Sequence, residues 1–451
     1  MVIIFIKPKY KIDKQAPKGP CFTTYIPEPS MNTHDQLQKI SDTHGDSFYV
    51  LHEQQYIKNI TDLKAACNKH YPKVIIGYSY KTNYIPRLCS IAKTHGVFAE
   101  VVSEMELQIA LKLGYTYDSI IFNGPYKKES DLERTLLGGS IVNLDSYYEL
   151  ESLKRLVAKH PGASFKVGLR INMSLINEDG TSAIQEGLNI GRFGFDTASE
   201  EFSNLISTLN ALGVSIHALH GHTSTSDRSL KNFTTIVKTL CHVRNTFHLD
   251  EIAYLNVGGG FFGPMPKGLL NRDTPSFDDY ADTIFNHLKK DPWFAAHKPH
   301  VILEPGVSVV SNALSFVAKI IDIKKIRGNN FLLIEGGVYN VKPTMHKINL
   351  PFKIIAKNKS QNKGTAYYDV VGSTCMEKDL VLSHVEMHHP KPNDFIQIDN
   401  VGGYTVVKTP NFINFVPAIV ALNAEGSHQI IRNRQTIADV LAPYALDAHD
   451  L

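Results

Sequence analysis

From about residue 47 the chain repeats one pattern: a short apolar, β-branched run bounded by turns, then a longer segment with helical spacing. The runs are Phe48–Leu51, Val74–Tyr80, Val97–Val102, Ser119–Phe122, Ile141–Leu144, Phe165–Ile171, Val214–His220, Ile252–Val257 and Val301–Leu303. Segments such as Met105–Leu113 and Tyr147–Lys159 lie between them. This alternation leaves few folds open, because consecutive parallel strands need a crossover and the crossover is right-handed. Of the nine strand candidates before Pro305, eight fit a closed (β/α)8 barrel, with one to spare near its start. An open doubly wound sheet is the other arrangement the pattern allows. After Pro305 the rhythm changes. Ser315–Ile323, Phe331–Glu335, Phe352–Ala356, Tyr367–Val371 and Phe395–Ile398 are strand-like, with turns and no long helical period between them. The expected fold class is therefore α/β: a TIM-like barrel over 46–305, followed by an all-β domain over 306–451. The Pro-rich segment 1–45 is expected to join the β domain or to wrap the barrel.

Composition excludes more than it assigns. The 451 residues carry 47 Lys and Arg against 44 Asp and Glu, a net charge of +3. That balance gives no surface field for steering nucleic acid. The longest apolar stretches, such as Ile413–Leu422, are too short to span a bilayer. The start, with only a short apolar patch (Met1–Ile6) before Lys-Pro-Lys, lacks the pattern of a secretory signal. Five cysteines (Cys21, Cys67, Cys89, Cys241, Cys375) are odd in number and have no metal-like spacing. A reduced, cytoplasmic protein that binds neither nucleic acid nor membrane is the expectation.

In a barrel of this kind the chemistry lies where the strands end. Lys81-Thr82-Asn83 follows the Val74 run, and the Val97 run contains Glu100. Asn123-Gly124-Pro125 follows the Ser119 run, and the Phe165 run holds Arg170. His220-Gly221-His222-Thr223-Ser224-Thr225, Gly258-Gly259-Gly260 and Glu304-Pro305-Gly306 leave the last three. Taken singly each has an ordinary explanation. A lysine after a strand is usually solvated, a glycine triplet is a plain turn, and Glu304 alone is a loop acid. Strand alternation would send the His220 and His222 rings to opposite faces, so a shared metal ion is not expected. Together, a lysine, an acid, a histidine and a glycine loop at four strand exits are what a phosphorylated aldehyde cofactor needs.

At these residues the sequence resembles the fold-type III pyridoxal-phosphate decarboxylases, the group of diaminopimelate and ornithine decarboxylases. The resemblance runs from about Gly45 to the C-terminus. Tyr78-Ser79-Tyr80-Lys81-Thr82-Asn83 resembles the motif whose lysine carries the cofactor as a Schiff base. Ser103-Glu104-Met105-Glu106 and Gly191-Arg192-Phe193-Gly194 resemble the segments that follow. Leu219–Thr225 resembles the motif whose second histidine, here His222, stacks on the cofactor ring. Glu304-Pro305-Gly306 resembles the motif whose glutamate meets the pyridine nitrogen. Gly372-Ser373-Thr374-Cys375 through Asp379 resembles the segment whose cysteine serves the partner subunit, and Gly402-Gly403-Tyr404 the one whose tyrosine touches the phosphate.

The resemblance implies pyridoxal 5'-phosphate as cofactor and an amino-acid-type substrate that loses its α-carboxylate. It implies a homodimer whose site is shared between subunits. Lys81, His222, Glu304 and Cys375 are the implied catalytic residues. Glu100, Arg170, Thr225, Gly258, Gly259, Gly260, Gly306 and Tyr404 would hold the cofactor, with Cys375, Met376, Glu377 and Asp379 toward the substrate. Burial and neighbouring positive charge are expected to lower the pKa of Lys81.

Departures from the pattern bear on the substrate. Val307 stands where the family has an arginine after Glu-Pro-Gly, leaving phosphate binding to backbone donors or to another cation. Met376 stands where many members carry an acid that reads a distal amine. Val341-Lys342-Pro343-Thr344-Met345-His346 does not match the usual substrate-arginine pattern. These changes resemble the branch that decarboxylates conjugated amino acids in siderophore assembly, such as citryl-diaminopropionate. An amino-acid racemase on a similar barrel, or a regulatory homologue without catalysis, are the competing readings. Without a resemblance to lean on, Cys375 is a small buried apolar residue and Asp379 a solvated loop acid. Ser174–Ile190 is long and polar enough to be a lid.

Overall fold

The computed structural model describes residues 33–177, 180–184, 188–266, 269–270, 272–357, 364–422 and 427–445. Strand β1 (Ser47–Leu51) is followed by β2 (Val74–Ser79), β3 (Phe98–Val101), β4 (Ile120–Phe122) and β5 (Ile141–Leu144). Then come β6 (Lys166–Arg170), β7 (Ser215–His220), β8 (Tyr254–Asn256) and β9 (His300–Leu303). β2 to β9 pair in sequence order, all parallel, and close when Val74, Ile75 and Ile76 of β2 meet Val301, Ile302 and Leu303 of β9. The open doubly wound alternative is thereby excluded. Ile121, Ala218 and Ile302 pack together from three different strands. The enclosed space is tight: a Cβ at Gly168 would lie 1.9 Å from Asn143 Oδ1.

The crossovers start with signals the sequence carries. Ser103, Ser199, Ser229 and Ser276 each accept a backbone N–H three residues on, at the starts of helices Glu104–Lys112, Glu200–Ala211, Leu230–Thr246 and Phe277–Leu288. Helix Pro86–Thr94 begins on a proline, which needs no donor there.

The second sheet is built from β10 (Leu314–Ile326), β11 (Asn329–Ile334), β12 (Phe352–Ile355), β13 (Thr365–Val371) and β14 (Leu380–His388). β15 (Phe395–Ile398), β16 (Ala418–Leu422) and β17 (His428–Arg432) complete it. Its order is β14-β13-β11-β10-β1-β16-β17, with β15 paired to β10 and β12. The expected boundary at residue 46 does not match this pairing. β1 lies in the second sheet, antiparallel to β10 and parallel to β16, and is buried along its whole length. Helix His34–His44 packs Leu37 and Ile40 onto Phe48, Val50, Val317 and Val420 of that sheet. Residues 1–32 of the N-terminal segment lie outside the described residues. β14, β16 and β17 were not among the expected strands.

A fully buried ion pair ties the barrel's β4 exit to the next crossover. Lys127 Nζ donates to Gly124 O, Asn143 O and Glu149 Oε1 at 2.8, 2.8 and 2.9 Å, and both side chains are 0% exposed. Glu149 also accepts the N–H groups of Asp145 and Ser146 with its other oxygen. Removing one partner leaves an uncompensated charge in a low dielectric. Lys127→Met is expected to cost about 3–5 kcal/mol in urea unfolding, and pairing it with Glu149→Gln is expected to recover part of that.

Candidate active site

The barrel brings the strand exits together at one mouth. Lys81 sits in a single turn, Tyr80–Thr82, directly after β2. Its Nζ lies 2.7 Å from Glu100 Oε2 at the end of β3 and 3.1 Å from Ser79 Oγ. Ser79 Oγ also donates to Glu100 Oε2. Glu100 is 0% exposed. Asn123, after β4, donates from Nδ2 to Glu100 Oε1 at 2.9 Å and to Glu304 Oε1 at 2.7 Å. Asn143 of β5 donates to Asn123 Oδ1 at 2.8 Å, which fixes the orientation of that amide. Asn256, at the end of β8, donates to Glu304 Oε1 at 2.6 Å and accepts the Gly258 N–H at 2.9 Å. The His220 ring sits with Nε2 3.2 Å from Glu304 Oε2.

These contacts set the charges. Burial works to raise the Glu304 carboxyl, but His220, Lys81 and His222 outweigh it and hold it well below the usual carboxylate range. Burial also works to lower Lys81, yet the Glu100 and Glu304 carboxylates more than offset it, so its pKa is raised. That reverses the expectation of a lowered value: the lysine's neighbours are anions. Burial, with Arg170 and Lys81, takes His222 well below its ordinary value, so its ring is neutral. The Gly259 N–H donates to His222 Nδ1 at 3.1 Å, which leaves the ring proton on Nε2.

The glycine triplet is more than a turn. Gly258 has φ +71°, and a Cβ there would lie 2.6 Å from His222 Cβ. A Cβ at Gly259 would lie 2.2 Å from Glu304 O. Gly260, with φ +94°, has open space where its side chain would be. Arg170 donates to Asp145 Oδ2 and to His222 O, both at 2.9 Å, with its guanidinium 4.6 Å from the Phe193 ring. The His220 and His222 rings are nearly parallel, 6.3 Å apart, and do not face opposite ways. β7 ends at His220, so His222 lies past the alternating strand, although the Gly221 N–H still bonds Asn256 O of β8. Among the described residues no group of three or more His, Cys, Asp or Glu is placed to hold a metal.

The second sheet's domain closes one side of the mouth. Tyr404 donates its N–H to Thr82 O at 2.9 Å, and Asn83 Nδ2 donates to Gly402 O at 2.9 Å. Gly306 approaches Thr82 so closely that a Cβ there would meet its hydroxyl at 2.2 Å. Thr225 Oγ1 accepts the Arg228 N–H at 3.2 Å. Across it, Thr225 bridges to Ile184 in the segment expected to act as a lid, part of which lies outside the described residues.

The remaining expected residues stand apart. Cys375, Met376, Glu377 and Asp379 lie on the loop between β13 and β14, and no hydrogen bond or ion pair among the described residues joins them to the lysine cluster. Cys375 is exposed, so it is not a packed core thiol. Asp379 is 4% exposed, so it is not a solvated loop acid; its carboxylate accepts the Val338 N–H at 2.6 Å and the Thr374 N–H and hydroxyl at 3.2 and 2.5 Å. These bonds tie its loop to the short helix Val338–Val341. Asn123, Asn256 and Asp145 were missed as site residues. The available signal was a polar side chain at or beside the end of an apolar strand run.

A lysine beside a buried glutamate, an ionised glutamate across the mouth, a neutral histidine between them and a glycine turn define a class. It is a β/α-barrel enzyme that handles a phosphorylated pyridine aldehyde. The residues fit that group: the amine, a carboxylate for the ring nitrogen and a bare glycine turn share one mouth, and Ser308 Oγ, beside Gly306, is buried without a partner. The family model described as "Pyridoxal-dependent decarboxylase, pyridoxal binding domain" matches residues 57–311, more than half of the chain. The chain belongs to the pyridoxal-dependent decarboxylases, enzymes that act on amino acids with pyridoxal 5'-phosphate as cofactor. It is 26% identical to the diaminopimelate decarboxylase of Methanocaldococcus jannaschii over 421 residues, 91% of this chain and 94% of that one. It is 23% identical to the diaminopimelate decarboxylase of Aquifex aeolicus, over 90% and 93% of the two chains. Among solved structures, diaminopimelate decarboxylase from M. jannaschii in complex with L-lysine superimposes with a TM-score of 0.80 at 24% identity, over 92% and 95% of the chains. Lysine/ornithine decarboxylase from Vibrio vulnificus with putrescine gives 0.71 at 19%, over 87% and 99%. At those identities the structures speak for the shared fold.

One buried acid beside the cluster gives a pH test. Glu106 is 4% exposed, and burial, then the nearby Glu100, push its carboxyl up to about 7. The folded state therefore holds this proton more tightly than the unfolded one. The resulting stability is present below the ordinary value of 4.5 and is lost as pH rises through about 7. Glu106→Gln removes the titration. Relative to the natural protein it is expected to gain about 2 kcal/mol between about pH 5 and about pH 8. Urea unfolding at both pH values checks this; a difference that does not change with pH overturns it.

Proposed function

We propose that this protein removes the α-carboxylate of a conjugated amino acid of the siderophore-precursor type, such as citryl-diaminopropionate. Lys81 is the proposed attachment point, with Glu100 Oε2 at 2.7 Å as the group that takes a proton from Nζ and returns it. Bound pyridoxal phosphate supplies the electron sink for the pair left when CO2 departs. Glu304 is the residue proposed to keep the ring nitrogen protonated. A buried carboxylate at this place, hydrogen-bonded by Asn123 and Asn256, is the observation that carries decarboxylation over racemisation, for which an arginine partner would be expected. His222 offers a neutral ring, oriented through Nδ1 by Gly259. Arg170, held by Asp145 and by the His222 carbonyl, fixes where that ring stands. Gly258–Gly260, Gly306, Thr225 and Tyr404 are the proposed phosphate-side residues.

The substrate reading rests on the loop between β13 and β14. Met376 receives the Tyr339 hydroxyl at 3.8 Å where an acid would read a distal ammonium, and Asp379 is consumed internally. The exposure of Cys375 supports its proposed role at a partner subunit's site, and hence a homodimer as the working unit. No helix among the described residues is long and apolar enough to cross a membrane. The reduced cytoplasm remains the proposed location. The relatives' names favour a second reading, a simple diamino acid as substrate.

Two measurements decide. Lys81→Ala is expected to lose the cofactor's Schiff-base absorbance and nearly all turnover; an unchanged spectrum overturns the assignment of Lys81. CO2 release from citryl-diaminopropionate, diaminopimelate, lysine and ornithine is to be compared side by side. Efficient turnover of a simple diamino acid sinks the conjugated-substrate reading, and racemised substrate without CO2 overturns decarboxylation.

A further inference from the structure

Val307 cannot supply the cation that the family pattern places after Glu-Pro-Gly. Its methyls lie against Gly403, where a Cβ would be 3.3 Å from Cγ2. A dianionic phosphate held by backbone N–H groups and hydroxyls alone would still want a positive partner. We propose that Arg228 is that partner: it lies between Thr225, the residues after the glycine turn and Tyr404, and holds the cofactor's phosphate in place of the arginine missing at position 307.

This rests on the reading of Lys81 and the glycine turn as the cofactor site. Three observations carry it. The Arg228 N–H is bound to Thr225 Oγ1 at 3.2 Å, so the two residues share one turn. Its Nη1 reaches Phe261 O, one residue past Gly260, at 3.3 Å, and its guanidinium lies 5.2 Å from the Phe262 ring. Its backbone is fixed in the left-handed region, φ +50°, and its carbonyl accepts the Tyr280 hydroxyl at 2.7 Å; the Tyr280 hydroxyl oxygen in turn accepts the Phe262 N–H at 3.2 Å. The arginine is therefore tied at both ends to the loop that leaves the glycine triplet.

The charge is also uncommitted. Among the described residues no carboxylate lies within ion-pair distance of Arg228, and its one side-chain hydrogen bond uses a single N–H of five. Burial lowers its pKa, with Tyr280 and Tyr404 acting in the other direction, so the Tyr404 phenol is within electrostatic reach. Arg272, 5.6 Å from the Phe262 ring centre, donates to Asp227 O and backs the same turn. A half-buried arginine without an acid, beside a bare glycine turn, fits an anion as its missing partner.

The test compares pyridoxal 5'-phosphate with pyridoxal, which has the aldehyde and ring but no phosphate. Each is titrated by absorbance into cofactor-free natural protein, Arg228→Gln and Arg228→Lys. Arg228→Gln is expected to bind pyridoxal 5'-phosphate about tenfold to a hundredfold more weakly, with pyridoxal unchanged. Arg228→Lys, which keeps the charge and loses the fork, should fall between, and it serves alone if Arg228→Gln does not fold. Adding Val307→Arg to Arg228→Gln should restore part of the loss. Equal weakening of both ligands would mean that Arg228 only supports the loop, and no weakening of either would remove it from the site; both results overturn the proposal. Failure of the natural protein to form a Schiff base with either ligand would instead overturn the reading of the site itself.

Discussion

Everything at the barrel mouth depends on keeping two carboxylates charged where there is almost no water. Glu100 is 0% and Glu304 3% exposed, and an isolated buried carboxylate would take up a proton to escape the cost. The solution is a shared set of donors. Asn123 gives one hydrogen bond to each acid, Asn256 a second to Glu304, and Lys81 and Ser79 complete Glu100. Asn143 holds Asn123, and the buried Lys127 holds the carbonyl of Asn143. The support thus reaches from the functional groups to the Lys127–Glu149 pair, one strand exit away. Each carboxylate oxygen needs such donors, which explains why asparagines stand where apolar residues would otherwise continue.

The two halves of the molecule are joined at the same place. β1 precedes the barrel in sequence but lies in the other sheet, between strands more than 260 residues further on. The chain must therefore lay down one strand, close the barrel, and return to pair on both sides of it. That return brings Gly402 and Tyr404 to Asn83 and Thr82, next to Lys81. A barrel alone would leave this side of the mouth open to water.

The alternation of apolar runs and helical segments made the barrel legible, because each βα unit is local and every crossover has one hand. Nine runs before Pro305 correspond to nine strands. The placement of β1 was not legible: a run buried on every residue reads the same in either sheet, and its partners are set by non-local pairing. β14 escaped because His384, Glu386 and His388 on its outer positions dilute the apolar signal. At the site, the motif residues could be read from the strand exits. The asparagines also stand at or near strand ends, but Asn123, Asn143 and Asn256 acquire a common purpose only when β4, β5, β8 and β9 close into a ring. Asp379 differs in another way: without the resemblance it reads as a solvated loop acid, whereas its carboxylate is buried and bound to the Val338 and Thr374 donors.

The charge of Lys81 is where sequence intuition and structure part most sharply. A lysine set among cations would lose its proton easily and attack as a free amine. Here two anions hold that proton, so the isolated amine is not the resting form. The arrangement makes sense if the nucleophile is released by transfer over 2.7 Å to Glu100, an acid that is buried, oriented by Asn123 and in contact with Nζ. A cation in the opposite role is then wanted on the phosphate side, away from Lys81, so that the two ends of the site attract different parts of one ligand. Acids gathered at the ring and amine end, with Arg228 at the glycine-turn end, give the mouth that polarity even though the net charge of the whole chain is only +3.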